Sequence, residues 1–77
     1  MQLSMNTLML AIKAMQRDIK RYEEMLQDEN LSEADADYYG QYVLDLTQAL
    51  SELGGTYQMA RKDHPELPNL DELTKGV

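Results

Sequence analysis

Asp28, Glu29, Glu33, Asp35 and Asp37 lie within ten positions of one another, and Tyr38, Tyr39 and Tyr42 follow at once. Oxygen ligands at that density could hold a hard cation, with the tyrosines as an aromatic lid. A calcium loop, however, needs oxygen ligands at alternating positions, a glycine at the sixth and a bidentate glutamate at the twelfth. Counted from Asp28, those two positions are Glu33 and Tyr39; counted from Glu33, they are Tyr38 and Leu44. Both registers fail where the loop is shaped. The acidic run reads as the start of a helix, and no metal is expected.

Other chemistry is sparse. A carboxylate-bridged di-metal bundle needs inward Glu-x-x-His pairs, but the one histidine, His64, has Arg61 three residues before it. Ser4, Ser32 and Ser51 sit in no strained-turn motif that would expose a nucleophile. ELGGTYQ, residues 52–58, lacks both the glycine spacing and the lysine of a phosphate loop. No catalytic residue and no cofactor is expected, and the chain reads as non-enzymatic.

Two apolar periodicities position these residues. Met5, Leu8, Ile12, Met15, Ile19, Tyr22 and Leu26 alternate spacings of three and four, the seam of a helix that packs on helices. Met9, Ala11 and Met25 widen that stripe toward the broader face of a bundle helix. Tyr39, Val43, Leu46, Leu50, Leu53, Tyr57 and Ala60 form a second seam, with Tyr42 and Ala49 beside it. Ser32, three residues before Asp35, resembles a capping box at its start, where the helix dipole favours Glu33, Asp35 and Asp37. These patterns predict helices over about residues 4–27 and 33–63, joined by a short link and therefore antiparallel.

Three glycines interrupt the second pattern. Gly54-Gly55 could end the helix at Leu53, but Leu53, Tyr57 and Ala60 keep their phase across the pair, which favours a continuous helix. Gly40, Thr47 and Gly54 recur every seven residues along one flank, a candidate close-packing strip; three unrelated, tolerated small residues are the alternative. His64 extends the seam and reads as a helix-end residue covering the core, since Pro65 disfavours helical geometry just before it. Asn69 with Glu72 predicts a short helical turn over about residues 70–75. Leu67, Leu70 and Leu73 either fold back over the open end or belong to a frayed tail.

With 77 residues there is room for one domain, organised as a hairpin unit over 1–64 and a Pro-containing tail over 65–77. The formal charge of −7 is uneven: residues 1–27 hold four basic against three acidic side chains, residues 28–77 three against eleven. Such acidity disfavours general adhesion to nucleic acid or anionic membrane. There is no cysteine, no apolar run of bilayer length and no signal-peptide pattern, so a whole chain in the cytoplasm is expected, with no membrane partner.

The expected fold class is all-α: an antiparallel two-helix hairpin with a short C-terminal helical turn. One hairpin cannot enclose so wide a seam, which predicts a homodimer forming a four-helix bundle. In helix order, length and charge placement this layout is similar to small RNA-modulator hairpins of the Rop type. That resemblance, which includes no shared motif, implies RNA contact through the first helix. Lys13, Arg17, Lys20 and Arg21 are the candidate RNA-contact face; a solvated face with a Lys20–Glu24 pair is the plainer account. The tyrosines of the seam are expected to pack as core with hydroxyls at the rim, while Tyr38 points elsewhere as a partner contact. The function expected first is protein–protein interaction, with a basic protein as one candidate partner, as inhibitor, antitoxin-like protein or adaptor.

Overall fold

Ser4, Ser32 and Asn69 each stand just before a helix, and each side-chain oxygen accepts from the backbone N–H three residues on, at 3.0, 3.1 and 2.8 Å. Such a cap satisfies one of the orphan donors at a helix start. Ser4, weighed above only as a nucleophile, is thus a structural residue.

The computed structural model describes residues 3–77; Met1 and Gln2, with which the expected hairpin unit begins, lie outside the described residues. Three helices follow in order: α1 (Met5–Met25), α2 (Glu33–Arg61) and the short α3 (Leu70–Thr74). No strand occurs among the described residues, so the chain is all-helical. Both long helices end in tighter turns, where Gln27 bonds Glu24 and Asp63 bonds Ala60 three residues back. The regular helices therefore stop slightly short of the predicted ends.

α2 passes through Gly54-Gly55 without a break. Neither glycine needs a left-handed conformation there; among the described residues only Gly76 has positive φ. The continuous apolar seam outweighs a propensity cost of about 1 kcal/mol per glycine. At about 1.5 Å per residue, this 29-residue helix accounts for most of the 47 Å long axis.

α1 and α2 pack against each other, and α3 contacts both. Leu8, Ile12, Tyr57 and Leu73 form the central cluster, with Met5, Met9, Leu50, Leu53 and Leu70 packed around it. Ile19 and Leu46 are buried nearer the hairpin turn. All fourteen seam positions are buried or half-buried; none is exposed. The shortest dimension, 14 Å, is little more than one helix with its side chains. Few residues can hide completely in so thin a body, which is why many seam residues keep a solvent-facing edge.

The Pro-containing segment folds back onto the hairpin. The Tyr57 hydroxyl donates to the Pro68 carbonyl at 2.6 Å, and Arg61 Nε donates to the Leu67 carbonyl at 2.9 Å. Leu70 lies over Gly54, where an added Cβ would stand 3.1 Å from Leu70 Cδ2. Leu73 completes the cluster, and Lys20 Nζ donates to the Val77 carbonyl at 2.6 Å. Residues 65–77 thus cover one side of the seam within a single chain.

Candidate functional site

Tyr22 and Tyr39 are seam residues on different helices, and the short link brings them together. Their rings stack at 5.5 Å with an interplanar angle of 29°. Tyr42 meets Tyr22 edge to face at 4.9 Å, and Tyr38 meets Tyr39 in the same manner at 5.5 Å. Aromatic pairs in these arrangements add about 0.5–1.5 kcal/mol beyond the area they bury. The outcome is a chain of four rings near the hairpin turn: Tyr42, Tyr22, Tyr39, Tyr38.

The cluster is anchored inside and open outside. Tyr22 and Tyr39 are half-buried, whereas Tyr42 is 38% and Tyr38 70% exposed. Tyr38 and Tyr42 are one helical turn apart on α2 and share its surface. At about 100° per residue, Tyr42, Ala49 and Thr56 fall on the opposite flank of α2 from Gly40, Thr47 and Gly54. Leu70 sits on that second flank. The tail therefore covers one side of the hairpin, and the tyrosines open on the other.

Arg21 adds a cation. Its guanidinium carbon lies 5.3 Å from the Tyr22 ring centroid, within the range of a cation–π contact. Tyr22 and, behind it, Asp18 raise the Arg21 pKa above its ordinary value. The side chain stays charged throughout the range in which the protein operates. The surroundings are acidic: residues 17–46 hold nine acidic and three basic side chains, and the rest of the chain five and four. Nearly all the net charge thus gathers at the turn end, around the rings.

The four cations proposed for RNA contact share the face of α1 away from its seam, spread over about 100° of arc. Lys20 bonds the Val77 carbonyl on the tail side, Arg21 lies over Tyr22 on the other, Lys13 is half-buried and Arg17 exposed. The close-packing strip is divided. Gly54 is buried against Leu70, while a Cβ at Gly40 would meet nothing within 4 Å and Thr47 is exposed with its hydroxyl bonded to Val43.

No protein-family model, no curated protein and no solved structure matches this chain.

The remaining chemical candidates find plain roles. Asp28 accepts from the Asn30 N–H at 3.0 Å and shapes the link, and Glu33 and Asp35 occupy the first turn of α2. No group of three or more histidine or acidic side chains is placed to hold a metal ion among the described residues. His64 is exposed, 3.6 Å from Glu66, rather than covering the core as its seam position suggested. The chain turns out at Pro65, so the seam stops one step earlier at Ala60. Beside it, Leu3, Met5, Leu53, Ala60 and Asp63 line an open groove of about 600 Å³. No helix among the described residues is long and apolar enough to cross a membrane.

Sequence reasoning placed each tyrosine on its own helix but not the meeting of Tyr22 with Tyr39 and Tyr42. The signal was available in the short link, because residues similarly distant from an antiparallel turn face one another.

Proposed function

We propose that this chain is a small, acidic, non-enzymatic interaction protein that works by protein–protein contact, as an inhibitor, antitoxin-like partner or adaptor. One observation carries the reading: the anchored ring cluster whose outer members, Tyr38 and Tyr42, stand exposed in the acidic half of the molecule. Protein interfaces enrich tyrosine and arginine and rely on them for affinity; tyrosine offers large, rigid contact area at low entropic cost, and arginine a planar fork of donors. The missing cysteines suit the reducing cytoplasm, where we place the protein.

Affinity capture with the full chain, set against a Tyr38→Ala/Tyr42→Ala variant, tests this. A stoichiometric protein partner held by the first and lost from the second is the expected result. Retention of structured RNA, abolished by the Lys13/Arg17/Lys20/Arg21→Ala variant, would replace this reading with RNA modulation. The net charge of −7 argues against that outcome.

Assembly belongs to the same proposal. A homodimer would pair two hairpins as a four-helix bundle, since a single hairpin leaves much of its seam only half-buried. Sedimentation at low micromolar concentration should give twice the chain mass of 8.9 kDa; a value equal to it would remove the dimer.

A further inference from the structure

The tyrosine surface supports a narrower inference about its partner, which rests on the interaction reading above. Arg21 over Tyr22 is a guanidinium resting on a tyrosine ring of this same cluster. Beyond Tyr22, the exposed Tyr38 and Tyr42 offer two further rings, with carboxylates one turn away. Asp35 lies one turn before Tyr38, and Asp45 lies one turn after Tyr42. Asp45 accepts from Gln41 at 3.0 Å through Oδ1, which leaves its second oxygen for another donor. In α2 no lysine or arginine occurs before Arg61 at its far end. The rings and carboxylates here thus have no cation near them on their own helix.

We propose that the Tyr38–Tyr42 surface binds an arginine-rich segment of a partner protein, guanidinium groups stacking on the rings and pairing with Asp35 and Asp45. Guanidinium suits this surface better than ammonium. It is planar, weakly hydrated and able to stack on a ring while its edge meets a carboxylate. The concentration of negative charge at this end would draw such a segment in.

The test is calorimetric titration of the full chain with an octa-arginine and an octa-lysine peptide at physiological salt. The arginine peptide should bind about tenfold tighter than the lysine peptide, as stacking on two rings requires. Tyr38→Ala/Tyr42→Ala should remove about tenfold of that affinity and most of the preference for arginine, while Tyr38→Phe/Tyr42→Phe retains both. Should the double alanine variant lose helix by circular dichroism, Tyr38→Ala alone makes the same test at a ring that is 70% exposed. Equal affinity for the two peptides, or indifference to the tyrosines, would overturn the proposal and leave only charge attraction. A concentration-dependent dimer abolished by Tyr38→Ala would also overturn it, by assigning the surface to a second copy. In either case a protein partner captured in the earlier experiment would leave the broader interaction reading standing.

Discussion

Gly54 and Gly55 are sequence neighbours with opposite surroundings. Leu70 covers Gly54, whereas a side chain at Gly55 would enter open space. Gly55→Ala should therefore stabilise the fold by about 0.5–1 kcal/mol, the ordinary helix-propensity gain. In Gly54→Ala the same gain is opposed by a contact 3.1 Å from Leu70 Cδ2, so its stability should fall below that of Gly55→Ala. Urea unfolding of both variants checks this, and equal midpoints would mean that Leu70 moves aside freely. Tyr57→Phe, which removes the 2.6 Å bond to the Pro68 carbonyl, should cost about 1 kcal/mol in the same assay.

The helices themselves were legible in the sequence because each has one uninterrupted apolar phase. The seam of Leu50, Leu53 and Tyr57 makes α2 continuous despite its glycines, and Ser32 and Asn69 mark helix starts by their chemistry. The docking of α3 was one of two open alternatives. Leu67, Leu70 and Leu73 show that the tail has an apolar edge, but local pattern cannot say where that edge lands. The landing depends on a long-range fit between Leu70 and Gly54 and on a tyrosine hydroxyl reaching a carbonyl. Ser32→Ala, which removes the α2 cap, should cost about 1 kcal/mol. Leu73→Ala empties a buried site and should cost about 2–4 kcal/mol by thermal or urea unfolding. A loss below half of that would show that the hairpin closes over the gap.

At the scale of the molecule, charge and thickness act together. Six of the fourteen acidic residues fall within residues 28–45 with no basic residue among them, in a body only 14 Å thick, so like charges on the link and the first half of α2 remain close. Self-repulsion of that kind is screened by salt, with a Debye length near 10 Å at about 0.1 M. Raising the salt from about 0.01 to 0.3 M should therefore raise the urea midpoint, and a fall would indicate that attractive pairs dominate. The uneven charge was legible from composition along the chain. Its coincidence with the aromatic cluster was not, because that depends on which residues of α1 and α2 stand opposite each other across the turn.

α3 has five residues, far below the length at which a helix holds itself in water. Its winding is therefore borrowed from the seat at Gly54 and from the burial of Leu73. Amide exchange at Leu70–Thr74 serves as a built-in gauge of whether that seat is occupied. Anything that lifts the tail, whether a substitution at Tyr57 or a competitor for the glycine flank, should speed exchange there while the centres of the long helices still exchange slowly.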